Sequence, residues 1–308
     1  MKRYITWIGL TCLILFTGIF LPRVFAQTIP PQITMSVSPP TFELTGEKGE
    51  TLTNVIKFEN TNAFPLSIIT STRNFTAVGE EGAVGLTTED TAFSLASWIA
   101  ITPQATVVEP KSTTLFTYTI TIPANAESGG HFGSIVFSTK PSQGTSQTGA
   151  VVTQELGDLI LLKIPGATNL SWQIAGFNPV RTLFWVKPLQ FTLRIKNTGN
   201  VHIKPAGRIV LTNVFGQTLS QDITSENVLP EAVRRFDITI FPPFLLGPYT
   251  ARAIIDVNGQ EKTATVTLWA LPGKQLLVFG SLLLVLLVVS IKGRKRFTKA
   301  IRVLAGKE

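Results

Sequence analysis

The sequence predicts an all-β protein made of two tandem immunoglobulin-like β-sandwich domains, with an N-terminal signal peptide and one C-terminal transmembrane helix. Short segments rich in Val, Ile, Thr and Phe are interrupted about every eight to twelve residues by Gly, Pro, Asn or Asp, which is typical of β-sandwiches. Two of these segments recur later in the chain, and each end of the chain carries a long apolar run. These observations indicate two exported sandwiches held by a membrane helix.

The N-terminal apolar run predicts a signal peptide. Basic residues precede the apolar stretch at 5–20, and small residues follow it before Gln27, so cleavage is expected after Ala26. An uncleaved signal anchor stays open, because Arg23 lies in the cleavage region. In either case, the chain between residues 27 and 273 is expected to be exported.

The charge distribution argues against nucleic-acid binding by the exported part. The whole chain has 27 Lys and Arg against 19 Asp and Glu, but the excess is concentrated near its two ends. Between residues 27 and 273 there are 16 Lys and Arg against 18 Asp and Glu, a net charge of −2, so no basic surface is expected. The only cysteine, Cys12, lies in the signal peptide, so apolar cores rather than disulfides must stabilise the exported domains.

An internal repeat predicts two sandwiches rather than one. The strand segment that ends at Asn60 matches the segment that ends at Asn197, and both continue into an Asn-containing turn. The segment at 120–123 matches the segment at 238–241. The junction near Gly166 has almost no linker, so we expect a stiff rod.

The second sandwich carries the pattern of a tyrosine corner. Gly247 and Tyr249 come directly before a strand segment at 250–257. In such a corner the phenol hydroxyl binds the backbone upstream and fixes the crossover between sheets. We therefore assign these two residues a structural role.

The C-terminal apolar run predicts a single membrane span. No charge interrupts residues 275–291, which as a helix reach about 25 Å, near the lower limit for a bilayer core. The basic residues that follow place the C-terminus in the cytoplasm by the positive-inside rule. Trp269, where the last strand segment meets the span, is expected either among the headgroups or packed on the domain. The predicted topology anchors are Trp269, Lys274, Lys292, Arg294, Lys295 and Arg296.

Two polar segments of the first sandwich are candidate ligand-contact loops. The first is acidic, Gly-rich and too long for a simple turn, and the second is polar and low in complexity. Their alternative role is that of mobile, solvated hairpin tips. Hydroxyl and amide groups suit hydrogen bonding to glycans. The candidate contact residues are Glu80, Glu81, Glu89 and Asp90 in the first segment, and Ser142, Gln143, Thr145, Ser146 and Gln147 in the second.

Catalytic motifs are missing from the sequence. It has no Gly-x-Ser-x-Gly motif, no phosphate-binding glycine loop and no cysteine in the exported part. His131 and His202 are lone residues far apart in sequence, so a zinc site is not expected. The acidic segment at 80–90 resembles a glycosidase pair only in residue type. We expect no enzyme activity, no cofactor, no metal and no small-molecule substrate.

The ordered motifs of the first sandwich resemble those of the WxL-interacting proteins of Gram-positive cell surfaces. The run consists of segments at 37–40, 56–60, 98–103, 108–110, 118–123 and 129–136. The resemblance implies a peptidoglycan-binding module across most of residues 33–163. In the second sandwich Asn197, Pro248 and Tyr249 look similar to the family, which implies a domain that binds a partner or host protein.

These observations predict a non-catalytic, single-pass cell-surface adaptor. Its sandwiches are expected to bind peptidoglycan or a secreted surface protein through loops and strand edges. The alternative is an accessory subunit of a membrane-bound secretion or pilus-type assembly complex. The predicted segments are a signal peptide at 1–26, sandwiches at 27–166 and 167–271, a membrane helix at 272–291 and a basic cytoplasmic tail at 292–308.

Overall fold

The structure of the chain, a computed structural model, describes residues 33–140 and 153–304, with side chains described up to residue 294. Three sets of predicted sites therefore lie outside the described residues or side chains. They are the cleavage site at Ala26 and Gln27, the polar contact segment with Ser142, Gln143, Thr145, Ser146 and Gln147, and the basic side chains of Lys295 and Arg296.

The first sandwich has ten strands in two sheets. In chain order they are β1 (Met35–Ser38), β2 (Thr41–Thr45), β3 (Thr51–Asn60), β4 (Leu66–Val78), β5 (Ala83–Thr87), β6 (Ile99–Thr102), β7 (Ala105–Val108), β8 (Ser112–Thr121), β9 (Gly129–Thr139) and β10 (Glu155–Ile164). One sheet has the order β1-β3-β8-β6, and the other has the order β2-β10-β9-β4-β5, with β7 also paired to β4. All pairs are antiparallel except β2 with β10.

Period-two alternation of side chains builds the core between these sheets, as the sequence predicts. Alternate residues of β8, such as Phe116, are fully buried while their neighbours face solvent. Phe116 packs edge-on against Phe58 of β3, with ring centroids 6.1 Å apart, and against Phe137 of β9 at 5.0 Å. Both sheets therefore contribute aromatic rings to one core.

The second sandwich has eight strands, again in two sheets. In chain order they are β11 (Trp172–Pro179), β12 (Leu183–Phe184), β13 (Leu189–Asn197), β14 (Ala206–Asn213), β15 (Thr218–Asp222), β16 (Val233–Ile240), β17 (Gly247–Val257) and β18 (Gln260–Ala270). The sheets have the orders β11-β13-β16 and β12-β18-β17-β14-β15. Their facing residues form a separate core that contains Trp172, Phe191 and Tyr249.

The predicted tyrosine corner is present at the start of β17. The Tyr249 hydroxyl donates a hydrogen bond to the Phe244 carbonyl at 2.6 Å, five residues upstream. Gly247 has a φ of +79°, a left-handed conformation that favours glycine. The corner fixes the loop at 241–246 against the end of the sheet.

A single long helix, α1 (Gly273–Leu304), follows the last strand. Residues Gly273–Arg294 are long and apolar enough to cross a membrane, with a mean hydropathy of 2.5 and no part of that window buried. The helix extends beyond the predicted span, because the basic segment after Ile291 contains no proline and continues the same helix. The basic tail is thus helical up to Leu304.

Candidate functional site

The first sandwich carries a second apolar cluster on the outer face of the sheet that contains β9. Phe75, Phe132 and Leu161 are each at most 3% exposed, although they point away from the main core. Nearly every residue of β9 is buried, which is the pattern of a strand covered on both faces. Part of the cover is the second sandwich, whose Leu229 packs against this cluster beside Phe93 of the first sandwich.

Hydrogen bonds join the two sandwiches at one edge of this cluster. The Gly130 N–H donates to the Asn200 carbonyl at 2.7 Å, and the Asn200 side-chain amide donates to the Ser128 carbonyl at 3.1 Å. A Cβ on Gly129 would lie 2.9 Å from the Asn200 carbonyl oxygen, so glycine is needed for this close approach. His202 adds an edge-on contact to Phe132, with ring centroids 5.9 Å apart.

The acidic hairpin between β4 and β5 joins the sandwiches at the other edge. Glu80 accepts a hydrogen bond from Arg194 Nε at 2.6 Å, and its backbone carbonyl accepts one from the Arg235 N–H at 2.7 Å. Glu81 pairs with Arg235 Nη2 at 2.8 Å. Glu80 and Glu81, which the sequence suggests as ligand contacts on a loop, bind arginines of the second sandwich in this structure.

The other two acidic candidates are held within the first sandwich. The buried Asn74 side chain donates to the Glu89 carbonyl and to Asp90 Oδ1, both at 3.1 Å. Its own carbonyl oxygen accepts N–H groups from Leu95 and Ala96 at 3.0 and 2.8 Å. Asn74 thus ties the segment after β5 to β4, and Asp90 serves this internal bond.

Two cavities lie in the cleft between the sandwiches, on either side of Leu229. The first has a volume of about 310 Å³, with an apolar floor that includes Leu159 and Leu161 and a polar wall formed by residues 225–227. The second has a volume of about 440 Å³ and is lined by aromatic rings, among them Phe93 and Phe132. Volumes of this size are typical of small-ligand or side-chain pockets.

Charged and polar groups line the first cavity. Glu43 accepts hydrogen bonds from Asn227 Nδ2 at 2.7 Å and from Lys204 Nζ at 3.1 Å. The Asn227 bond, followed by Lys204, lowers the pKa of Glu43. Arg234 binds the Asn227 carbonyl and the Glu226 carboxylate through its terminal nitrogens. Arg234 Nε and Asn227 Oδ1 are buried and have no hydrogen-bond partner within the described chain.

The edge of the first sandwich next to this cavity is open. β5 pairs only with β4 among the described strands, and Ala83 and Val84 at its start line the first cavity. The unpaired backbone groups of an edge strand are a template for an added strand. An apolar cleft beside an open strand edge can hold an extended polypeptide, with side chains in the cavities.

The sequence contains one signal for this site that the predictions above did not use. Residues 129–139 lack the polar alternation of an exposed sheet face, which indicates that a second layer covers β9. Trp185, directly after the short strand β12, lies at the surface and is 50% exposed. Within the described residues, no cluster of His, Cys, Asp and Glu fits a metal ion.

The joint between the sandwiches yields a first prediction. We expect Leu229→Ala to lower the free energy of unfolding by about 2 kcal/mol, because it removes an apolar contact from the cluster of Phe75 and Phe132. Calorimetry of the purified full-length protein measures this effect. Val180→Ala is the matched control, since Val180 is 57% exposed, and its effect is expected to stay within about 0.5 kcal/mol. Equal effects of the two changes would contradict a packed joint.

Comparisons with known proteins give a likeness only to solved structures. No family model matches the chain, and no curated protein matches it. The class 5 fimbriae chaperone CfaA is 13% identical with a TM-score of 0.40, covering 77% of this chain and 100% of that chain. The E. coli chaperone DraB is 10% identical with a TM-score of 0.37, covering 76% and 98%. A structure of the Salmonella enterica SafA pilin with the SafB chaperone gives 14% identity and a TM-score of 0.37, covering 77% and 97%. TM-scores this low carry no argument about what this chain binds.

Proposed function

We propose that this chain is a membrane-anchored surface adaptor, without catalytic activity, that holds an extended segment of a partner protein in the cleft between its two sandwiches. The apolar cleft beside the open edge of β5 is the observation that carries this proposal. In this role β5 supplies backbone hydrogen bonds, and the cavities on either side of Leu229 receive alternate apolar side chains.

The position of the adaptor follows from the two ends of the chain. The N-terminal signal directs the sandwiches out of the cytoplasm, and α1 keeps them at the membrane, with its basic end on the cytoplasmic side. A partner captured in the cleft is then held near the cell surface. If the partner belongs to a secretion or pilus-type complex, the same geometry makes the chain an accessory subunit of that complex.

The chemistry of the cleft favours a protein partner over a glycan. Its floor is formed by aliphatic and aromatic side chains such as Phe75, Leu159 and Leu161, which suit apolar side chains better than sugar hydroxyls. Glu80 and Glu81 already bind arginines of the second sandwich. An extended peptide with alternate apolar residues therefore fits this site.

Wall-polymer binding is the second candidate function, and a different surface favours it. The outer face of the sheet β1-β3-β8-β6 carries a patch of threonines in register, with Thr51 opposite Thr121 and Thr53 opposite Thr119. Such a flat hydroxyl face can hydrogen-bond a glycan, in agreement with the activity that the resemblance to WxL-interacting proteins implies. Thr119→Lys is expected to reduce co-sedimentation with peptidoglycan if this face binds it, while leaving cleft binding unchanged.

Site-specific photocrosslinking in the native cells tests the cleft. A photoreactive amino acid in place of Val84, at the cavity wall, is expected to yield a discrete adduct with one surface protein. The same amino acid in place of Leu115, which is 57% exposed in β8 of the opposite sheet, is the control and should not yield that adduct.

A cavity-filling variant sharpens this test. Ala77 lines both cavities and is exposed, so Ala77→Trp blocks the cleft without entering either core. We expect it to reduce the Val84 adduct at least about tenfold, as expected when a buried contact is lost. Persistence of the adduct in Ala77→Trp, or the same adduct from position 115, would contradict binding in the cleft.

A further inference from the structure

We propose that the helix-proximal end of the second sandwich is itself a membrane-binding surface, seated in the interface of the bilayer that α1 enters. This inference concerns a surface at the opposite end of the domain from the cleft and does not depend on what the cleft binds. It rests on three observations: the convergence of loops around the start of α1, the exposed aromatic residues on those loops, and the absence of acidic residues there.

Three loops of the second sandwich lie around the start of α1. The loop after β12 contacts it directly, since the Gly273 N–H donates to the Trp185 carbonyl at 3.2 Å and the Leu271 N–H donates to the Phe184 carbonyl at 2.8 Å. The loop at 241–246 lies beside it, because Phe244 lines one cavity together with Pro272 and Lys274. The hairpin between β14 and β15 lies against that loop, because the rings of Phe215 and Phe244 are 6.3 Å apart. These contacts place one set of loops around the point where the chain leaves the domain.

Several apolar side chains on these segments face outward. Each of them is 46–67% exposed, although their neighbours in sequence, such as Phe184 and Leu245, are buried in the core. Strand alternation and the tyrosine corner therefore direct apolar groups away from the core here. These helix-proximal residues are Trp185, Val186, Phe215, Phe241, Leu246 and Trp269.

Exposed aromatic residues are concentrated at this end of the molecule. Within the described sandwiches, Trp185, Phe215, Phe241 and Trp269 are the large aromatic side chains that are exposed, and the other exposed large apolar residues are aliphatic. Aromatic rings with an apolar body are the residues that settle at the membrane–water interface. Contiguous exposed apolar surface marks an interaction site rather than ordinary protein surface.

The charge of this surface also fits a bilayer. The segments at 181–188, 213–217, 241–249 and 267–277 contain no Asp or Glu. They do contain Lys187 and Lys274, which can pair with lipid phosphates. The opposite end of the domain, at the cleft, carries Glu226 and Glu231 instead.

The short connection between the domain and α1 indicates that the bilayer covers this surface. Ala270 ends β18 and Gly273 begins α1, so at most about 10 Å of chain separates the domain from the spanning helix. That short connection holds the aromatic surface at the headgroup level. Because β17 has 11 residues and runs about 35 Å along the domain, a seated surface sets the cleft at a fixed height above the membrane.

Depth-resolved fluorescence on the full-length chain tests whether this surface lies in the bilayer interface. Single-cysteine variants Phe215→Cys and Phe241→Cys are made in a Cys12→Ser background, which otherwise has no cysteine. Each variant is labelled with an environment-sensitive dye and placed, one chain per disc, in nanodiscs of phosphatidylcholine and phosphatidylglycerol. Leu115→Cys, with a similar exposure in the first sandwich, is the matched control.

The labels at the helix-proximal end and the label in the first sandwich are expected to respond in opposite ways to the two quenchers. Lipids brominated near the top of the acyl chain should quench the labels at 215 and 241 at least about twofold, and aqueous iodide should spare them, because the interface excludes water-soluble ions. The label at 115 should show the opposite pattern. Quenching of all three labels by iodide alone, or protection that appears only with two chains per disc, would overturn the proposal, the latter in favour of a dimer contact.

An unlabelled measurement guards against an effect of the dye. Native tryptophan fluorescence of the unmodified chain should be quenched by the same brominated lipids. The double variant Trp185→Phe and Trp269→Phe is expected to lose at least about half of that quenching, since the two residues are the exposed tryptophans of the sandwiches. Unchanged quenching in the double variant would also overturn the membrane seat.

Discussion

Asp158→Asn is expected to stabilise the protein above neutral pH and to remove the loss of stability that ionisation of Asp158 causes as pH rises. Asp158 lies on β10, is fully buried, and neither carboxylate oxygen has a hydrogen-bond partner in the described chain. Burial raises the pKa of Asp158 from an ordinary 3.8 to about 7. The folded state therefore favours the protonated acid, whereas the unfolded chain releases the proton at lower pH.

The sign of the effect follows from that difference. As pH rises above about 4, the unfolded chain loses the proton first, so the free energy of unfolding falls by about 1.4 kcal/mol per pH unit. The loss reaches roughly 4 kcal/mol near pH 7 and does not grow further once the folded state also ionises. Asn has the same shape and does not titrate, so Asp158→Asn avoids this loss.

Tyr118 is a second buried polar group close to Asp158. Its hydroxyl is also buried without a hydrogen-bond partner in the described residues. Burial, and then the nearby Asp158 charge, raises the pKa of Tyr118, so the phenol stays neutral at any physiological pH. The two groups face the same core from opposite sheets.

Denaturant unfolding between pH 5 and pH 8 measures the Asp158 effect. The stability of the unmodified protein relative to Asp158→Asn is expected to fall across this range. Comparison of the two chains cancels the opposite contribution of His202, because burial lowers the pKa of His202 in both. Glu109→Gln is the control, because Glu109 is an exposed acid of the same sandwich. A stability difference between the unmodified protein and Asp158→Asn that stays constant across this range would contradict a buried neutral Asp158.

The sandwich architecture is predictable from the sequence because the order of apolar and polar residues in each strand indicates which of its side chains are buried. Apolar and polar residues alternate in β8 and β13, which predicts one buried face for each strand. The pattern at the start of β17 predicts a tyrosine corner, and the hydrogen bond of Tyr249 confirms it. The uncharged run after Lys274 likewise identifies a helix long enough to span a membrane. These features depend on residues close in sequence.

The cleft is not predictable in the same way because its contacts join distant residues. Glu80 binds Arg194 across 114 positions, and a loop that is acidic and Gly-rich has the same composition whether it binds solvent or a second domain. The exposure of Trp185 has a local cause. β12 has only two residues, Leu183 and Phe184, and the inward place is occupied by Phe184, so Trp185 points outward.

Replacement of Asn60 or Asn197 by Ala is expected to destabilise the sandwich that contains it by about 3 kcal/mol. Each of these asparagine side chains forms hydrogen bonds to several buried backbone groups at once. The Asn60 amide donates to the carbonyls of Phe64 and Val108 at 2.9 and 3.0 Å, and its oxygen accepts the Asn62 N–H at 2.9 Å. The repeat that the sequence contains thus has a common function in both domains, which is to tie the end of a central strand to a neighbouring loop.

Asn197 makes the same set of bonds in the second sandwich. Its amide donates to the carbonyls of Val201 and Val228 at 2.7 and 3.0 Å, and its oxygen accepts the Gly199 N–H at 2.9 Å. Alanine leaves these buried groups without a partner, and each unsatisfied group costs about 1–3 kcal/mol. Val228 adjoins Leu229, so Asn197→Ala is also expected to loosen the wall of the cleft.

Replacement of Asn60 by Asp separates the stability effect of lost hydrogen bonds from that of lost side-chain volume. Asn60→Asp keeps the acceptor but buries an acid that donates only when protonated, so its destabilisation should be larger at pH 8 than at pH 5. Asn60→Ala should show no such difference, and Asn178→Ala, at an exposed position in β11, should change stability by less than about 0.5 kcal/mol. Denaturant unfolding of the full-length variants measures all three. A loss below about 1 kcal/mol for Asn60→Ala and Asn197→Ala would mean that water replaces these bonds, and that the repeated asparagines do not hold the strand ends.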